Sequence, residues 1–154
     1  SLHTLLGFDT ESKPAFRKGT YNGISLLQLS SHDTAWLFRL QKTGFPKPLV
    51  ELMSTPSIKK IGAAILDDVR GLKKLRNFED NGFLDLQKYV EDFGVEDKGL
   101  KKMAGIFLNM RISKRQRLTN WESPVLTEPQ LRYAATDAWV CLKIYEKMQI
   151  LKNQ

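Results

Sequence analysis

The sequence predicts an α/β fold, a mixed β-sheet with helices on its faces. Three strand-like segments stand close together near the start of the chain, and strand-like and helix-like segments alternate after them. Strands joined by short turns pair as antiparallel neighbours, whereas strands separated by helices return in parallel. A long helix with a clear start signature ends the chain and can cover one face of the sheet.

The early strands come first in the chain. Residues 4–10 form the first strand, because the apolar run LLGF suits a buried strand. The connection 13–23 is rich in glycine and proline turn signals. It leads to a second and a third strand at 24–31 and 34–40, which a short polar turn joins.

The middle of the chain alternates between helix and strand patterns. The predicted elements are a helix at 48–54, a strand at 58–64 that runs into a helix at 65–77, a strand at 82–86, and helices at 86–93 and 99–108. The region 109–126 is irregular and basic. A final helix covers 128–149, since Thr127 and Gln130 form a capping box and Pro129 lies in the first turn.

Composition bounds the class of protein. The 154 residues predict one domain over 1–154, and a start so close to a core strand is what an excised fragment would show. The net charge of +7 favours nucleic acid as a partner, then acidic membranes, with a merely solvated basic surface as the alternative. No apolar run reaches the roughly 20 residues of a membrane span. Cys141 is the single cysteine, which fits a reducing, intracellular compartment.

The stretch FDTES places two acids at the end of the first strand. Asp9 and Glu11 are two residues apart, so their side chains point to the same face. Like charges held that close repel each other, and burial adds to the cost. A nearby cation would offset this repulsion; the alternative is a solvated strand end.

A second acidic position lies in the helix that begins near residue 65. Helical phase turns Asp68 towards the apolar side formed by Ile65, Val69, Leu72 and Leu75, and turns Asp67 outwards. Asp67 can pair there with Arg70 or Lys74. The alternative for Asp68 is a boundary residue that a backbone N–H satisfies.

The third position lies in the final helix, in the stretch YAATDAW. Tyr133 and Asp137 are four residues apart and share one face of this helix. The helix is apolar on two sides, so Asp137 should be largely buried and should need a metal or a cationic partner. A salt bridge to a lysine or arginine elsewhere in the chain is the alternative.

Together, these acids predict a metal site. Asp9, Glu11, Asp68 and Asp137 each face the core side or the strand end, and an all-carboxylate set suits Mg²⁺ or Mn²⁺. Two such ions about 4 Å apart can clamp a phosphodiester for in-line cleavage. The cation that offsets Asp9 and Glu11 would then be a metal pair.

These motifs, in this order, resemble the DEDDy group of 3′–5′ exonucleases in the ribonuclease H-like superfamily. FDTES resembles the first motif of that group, GAAILDD the second and YAATDAW the third. The stretch 119–138 closely resembles the exonuclease domain of the Werner syndrome protein and its bacterial relatives, and ribonuclease D more distantly. The resemblance covers nearly the whole chain and implies the ribonuclease H-like mixed sheet.

The resemblance also implies a role for each residue. Asp9, Glu11 and Asp137 would bind the first of two Mg²⁺ or Mn²⁺ ions, and Asp9 with Asp68 the second. Tyr133, the mark of the y subgroup, would orient the attacking water. The implied activity removes nucleoside 5′-monophosphates from the 3′ end of nucleic acid, with DNA favoured. A bacterial enzyme of this kind would be cytoplasmic or nucleoid-associated.

The basic region 111–121 is the expected nucleic-acid contact. Cations close to an aromatic ring suit backbone phosphates and a stacked base. The resemblance points to Lys114 and Arg117, whereas Trp121 is expected in the core. The alternative is a solvated loop.

Two other functions remain open at this point. One is trimming of RNA 3′ ends, because the contacts that read a 2′-hydroxyl cannot be located in a sequence. The other is a nucleic-acid-binding module without catalysis, although such modules usually lose one of the acids. Nucleotide hydrolysis and acyl transfer are unsupported, since the sequence has no glycine-rich phosphate loop and no nucleophile elbow.

Overall fold

The fold is built on one mixed sheet. A computed structural model describes residues 4–154. Its five strands are β1 (Leu5–Ser12), β2 (Ile24–Ser30), β3 (Ala35–Arg39), β4 (Lys59–Gly62) and β5 (Phe83–Asp85). Their order in the sheet is β3-β2-β1-β4-β5. The first three strands pair antiparallel, and β4 and β5 add in parallel, which confirms the predicted mixed sheet.

Helices cover both faces of this sheet. They are α1 (Leu40–Thr43), α2 (Lys47–Ser54), α3 (Leu66–Leu75), α4 (Leu86–Tyr89), α5 (Leu100–Leu108) and α6 (Glu128–Lys152). No helix in the described part of the chain is long and apolar enough to span a membrane.

The structure differs from the sequence prediction in two helical segments. The predicted third strand ends at Arg39, and its last residue, Leu40, begins the short helix α1 instead. The predicted helix 86–93 divides into α4 and a 3₁₀ turn, Val90–Phe93. Gly94 ends that turn with φ at +69°, a conformation that glycine adopts without steric cost.

Two apolar layers sandwich the sheet. On one face, Leu6 and Phe8 of β1 pack with Val69 and Leu72 of α3 and with residues of α2. On the other face, buried residues of α5 and α6 cover Ile61 of β4. The sheet therefore has α2 and α3 on one side and α5 and α6 on the other, and β1 lies at its centre.

Helix α6 approaches β1 unusually closely at Gly7. A Cβ atom on Gly7 would lie 1.8 Å from the carbonyl oxygen of Ala138, so only a residue without a side chain fits there. This contact sets the height of α6 above the strand. It thereby brings Asp137, the neighbour of Ala138, over the end of β1.

Candidate active site

Strand β1 carries the first two acids. Asp9 and Glu11 follow Gly7 on the face of the sheet that α6 covers. The backbone N–H of Thr10 donates to Oδ1 of Asp9 at 2.9 Å. The side chain of Gln28, on the neighbouring strand β2, lowers the pKa of Glu11 and so favours its charged form. Both acids are therefore held in place by the central strands.

Helix α6 brings Asp137 to the same point. Asp137 is 7% exposed, and carboxylate oxygens of Asp9, Glu11 and Asp137 all lie within 4.8 Å of one another. The structure thus joins three acids that are far apart in sequence. Their spacing is short enough for one cation to contact all three.

Asp68 reaches the cluster from the opposite face of the sheet. It lies in the first turn of α3, and its carboxylate accepts a hydrogen bond from the hydroxyl of Thr10. A cavity of about 440 Å³ has all four acids on its wall. Asp67 instead points to solvent and lies 3.9 Å from Arg70, as the helical phase predicts.

Burial makes the four carboxylates hard to ionise together. Loss of solvent and the charges of its neighbours raise the pKa of Asp9 well above its usual value. The same two causes raise the pKa of Glu11 to about 8. Burial raises the pKa of Asp137 to about 7 and that of Asp68 to about 6. A cation bound among them would hold all four in the charged form.

The donor set fits a hard divalent cation. Every candidate ligand atom is a carboxylate oxygen, which suits Mg²⁺ or Mn²⁺ and does not suit metals that prefer sulfur or imidazole. The charge of Arg117, which borders the cavity, lowers the pKa of Glu11 and offsets part of the repulsion. The cluster is thus compatible with divalent-metal binding.

Tyr133 lies beside the cluster, with Asp137 one turn farther along the same helix. Burial together with the nearby acids, Asp137 first, raises the pKa of Tyr133, so the phenol stays protonated. Its ring packs against Trp121 with centroids 6.0 Å apart. Trp121 is 1% exposed, which confirms its predicted place in the core.

The two cations expected to bind nucleic acid lie in different places. Arg117 borders the cavity that holds the acids. Lys114 lines a separate groove of about 380 Å³, together with Lys101 and Lys102 of α5. The structure therefore brings Arg117 to the candidate active site and leaves Lys114 outside its cavity.

Asp85 is a site residue that the sequence reasoning missed. Its carboxylate accepts hydrogen bonds from the backbone N–H groups of Ala64 at 3.0 Å and Ile65 at 3.3 Å, and also from that of Gln87. These bonds hold the turn from β4 into α3, three residues before Asp68. The signal in the sequence is an aspartate at the end of a predicted strand and directly before a helix, an N-cap position.

Comparison with known proteins identifies the family. A family model described as 3′–5′ exonuclease matches residues 2–151, almost the whole chain. The chain belongs to this 3′–5′ exonuclease family. This family match agrees with the resemblance that the three sequence motifs indicate, and the matched residues include the four acids and Tyr133.

Several relatives of this exonuclease family share sequence with the chain. "Exonuclease 3′-5′ domain-containing protein 2" of Drosophila melanogaster is 36% identical over 94% of this chain. The "Bifunctional 3′-5′ exonuclease/ATP-dependent helicase WRN" of Mus musculus is 33% identical, also over 94% of this chain. The chain spans 25% of the length of the first relative and 11% of the second.

Solved structures of exonucleases share the fold. The Nibbler EXO domain of Aedes aegypti superposes with a TM-score of 0.83 over 99% of this chain and 82% of its own, at 25% identity. RNase D of Escherichia coli superposes with a TM-score of 0.84 over 98% of this chain and 40% of its own, at 24% identity. The mixed sheet with flanking helices is therefore the ribonuclease H-like exonuclease fold.

Proposed function

We propose that the chain is a metal-dependent 3′–5′ exonuclease that removes nucleoside 5′-monophosphates from the 3′ ends of DNA. The observation that carries the proposal is the buried cluster of Asp9, Glu11 and Asp137, with oxygens within 4.8 Å of one another, in a chain that matches a 3′–5′ exonuclease family over nearly its full length. A formal net charge of +7 suits a polyanionic substrate.

Each acid has a role in this proposal. Asp9, Glu11 and Asp137 would hold one divalent ion, and Asp9 with Asp68 would hold a second. When bound, such ions lower the pKa of a water ligand and neutralise charge on the reacting phosphate. The acids fix the positions of the ions, because the central strand and two packed helices hold their backbones.

Tyr133 acts on the attacking water. Its phenol remains protonated because burial and the neighbouring acids raise its pKa, so it orients through a hydrogen bond and does not serve as a base. The ring contact with Trp121 limits the positions that its hydroxyl can take. Arg117, whose presence on the cavity wall supports this role, binds a phosphate oxygen of the substrate.

RNA is the second candidate substrate. DNA is proposed first because the stretch 119–138 resembles the Werner-type exonuclease, and the mouse relative with a helicase matches 94% of this chain. A protein named ribonuclease D from Haemophilus influenzae is 32% identical over 105 residues, which favours the alternative. Both substrates use the same four acids.

Side-by-side degradation tests the proposal. DNA and RNA oligonucleotides of one sequence, labelled at the 5′ end, are incubated with Mg²⁺ or Mn²⁺. We expect a ladder that shortens from the 3′ end, faster on DNA, and no ladder in EDTA or with Asp137→Asn. Digestion that begins at the 5′ end, or full activity in Asp137→Asn, would contradict the proposed mechanism.

A further inference from the structure

A second groove adjoins the candidate active site. It encloses about 430 Å³, and Tyr133 and Asp137 form part of its wall as well as part of the wall of the acidic cavity. The other walls come from the loop after α5 and the first turns of α6. Met110, Ile112 and Pro129 give it an apolar lining. A ligand that contacts Asp137 in the cavity can therefore extend directly into this groove.

Three arginines line the same groove, which we name the arginine groove. Arg132 forms an exposed ion pair with Glu128 at 2.8 Å, which partly offsets the negative charge of Glu128 in the groove. Across residues 4–154, the guanidinium groups of Arg111 and Arg115 make no hydrogen bond or ion pair. Two exposed and unpaired guanidinium groups thus face an apolar-walled channel beside the acids.

We propose that the arginine groove binds the substrate strand on the 5′ side of the scissile bond. This inference rests on the proposed exonuclease function. Guanidinium groups bind phosphate through paired N–H donors, and their planes, like apolar walls, accept base faces. Arg111 and Arg115 then hold the phosphates on the 5′ side of the scissile one, while the acidic cavity takes the 3′-terminal nucleotide.

The lysine-lined groove is a weaker candidate for this strand. It shares Gly99 with the acidic cavity, whereas the arginine groove shares Tyr133 and Asp137. A strand whose scissile phosphate lies on the acids can pass Asp137 and enter the arginine groove directly. Both grooves are basic, so the apolar lining and the wall shared with the acidic cavity favour the arginine groove.

The test compares substrates of two lengths. A dinucleotide has one phosphodiester, the scissile one, whereas a single-stranded 12-mer of DNA also fills the groove. For the double variant Arg111→Gln, Arg115→Gln, we expect kcat/KM on the 12-mer to fall about tenfold or more, and on the dinucleotide less than twofold. The slope of log kcat/KM against log salt should become shallower by about 0.7 for each lost phosphate contact.

A matched variant controls for net charge. Lys59→Gln with Lys147→Gln removes two exposed positive charges, at the start of β4 and near the end of α6, away from both grooves. It should behave like the wild type on both substrates. Thermal melts of both double variants confirm that they are folded.

Other outcomes overturn the inference. If the double arginine variant keeps the wild-type salt slope and the wild-type kcat/KM on the 12-mer, the strand does not pass through the arginine groove. If its kcat/KM falls equally on the 12-mer and the dinucleotide, the arginines act at the reacting phosphate instead. Fluorescence anisotropy of a labelled 12-mer needs no turnover. If the wild type cleaves no substrate but binds the 12-mer more tightly than the double arginine variant does, the proposed exonuclease activity is contradicted and the binding role of the arginine groove is supported.

Discussion

The acids at the end of β1 are an arrangement that folding alone would not favour. Asp9, Glu11, Asp68 and Asp137 lie around one cavity, and each has its pKa raised by burial, which disfavours its charged form. Thr10, Gln28 and Arg117 offset only part of this cost. The metal-free protein should therefore respond strongly to pH.

Stability without metal should fall as the pH rises. The folded pKa of Glu11, about 8, and that of Asp137, about 7, lie above the usual values of 4.5 and 3.8, so the folded state binds more protons than the unfolded state between about pH 4 and pH 8. Linkage then lowers the free energy of unfolding across that window. Melts in EDTA from pH 5 to pH 8 should show a decreasing Tm.

Two additions make this measurement specific to the acids. Asp137→Asn removes one of the charges and should flatten the decrease in Tm. Mn²⁺ at pH 8 should restore stability, by about 2.7 kcal/mol at a hundredfold excess over Kd. A Tm that is independent of both pH and Mn²⁺ would show that the acids do not form a binding site.

Tyr133→Phe tests the role of a single hydroxyl. The ring keeps its packing on Trp121, while the hydroxyl proposed to orient the attacking water is lost. We expect kcat to fall on the order of 10²–10³-fold with little change in KM, as for a bond made mainly in the transition state. Single-turnover cleavage at saturating Mn²⁺ measures the rate of the chemical step in both proteins. Tyr145→Phe, farther along α6, is the matched control, and equal rates for the two variants would exclude Tyr133 from the mechanism.

Asp68→Asn and Asp67→Asn form a natural pair. Asp68 accepts the hydroxyl of Thr10 at the cavity, and Asp67 lies outside it near Arg70. We expect Asp68→Asn to lower exonuclease activity at least a hundredfold, because loss of one oriented group near developing charge typically costs about 10²–10³ in rate. Asp67→Asn should change the activity less than threefold, because Asp67 lies outside the cavity. The reverse ranking would show that the assignment of the second motif is wrong.

At the scale of elements, the start of α3 depends on a residue from a neighbouring strand. Its N-cap position, Ile65, has no side chain that can accept a hydrogen bond, and Ala64 adopts φ of +54°, which costs strain in a residue other than glycine. The carboxylate of Asp85 supplies the missing acceptors. Asp85 therefore positions Asp68 without contacting the reacting atoms.

Asp85→Ala should affect both stability and metal response. The backbone N–H groups of Ala64 and Ile65 lose their acceptor, which we expect to cost about 1–3 kcal/mol in the free energy of unfolding. The start of α3 should shift, so the Mn²⁺ concentration for half-maximal activity should rise, with much of kcat recovered at high Mn²⁺. Loss of stability with an unchanged Mn²⁺ dependence would limit Asp85 to a capping role.

Some elements could be predicted from sequence and others could not, for identifiable reasons. The capping box of Thr127 and Gln130 marks the start of α6 through local hydrogen bonds, and the structure confirms it. The prediction that Leu75 lies on the apolar side of its helix was wrong, because Leu75 is the last residue of α3 and is 47% exposed. Short elements such as α1 have too few residues to show a period.

For the whole molecule, the convergence of the acids depends on topology. Strand β1 is central, β4 lies beside it in parallel, and α3 and α6 cover opposite faces, so acids from three elements meet at the carboxyl-terminal end of β1. The motifs predicted which residues should be involved. The arginine groove was not predictable, because an irregular loop and the start of α6 form it together.

Gly7→Ala tests the contact that sets the height of α6. A Cβ atom at 1.8 Å from the carbonyl oxygen of Ala138 must displace the helix or the strand, so we expect a loss of several kcal/mol in the free energy of unfolding and a large loss of activity. Gly105→Ala in α5 is the control. An alanine Cβ meets nothing within 4 Å there, and helix propensity should raise stability by up to about 1 kcal/mol. Similar urea midpoints for the two variants would contradict the close-contact argument.

The ring pair of Trp121 and Tyr133 lies next to the acids and can sensitise the luminescence of a metal ion bound there. A luminescent lanthanide such as Tb³⁺ also prefers carboxylate oxygens, and light absorbed by these rings can pass to an ion bound beside them. Because the ligands come from β1 and α6, emission sensitised in this way would appear only when strand and helix are assembled. The same signal would then report occupancy of the site and the integrity of the fold in one cuvette.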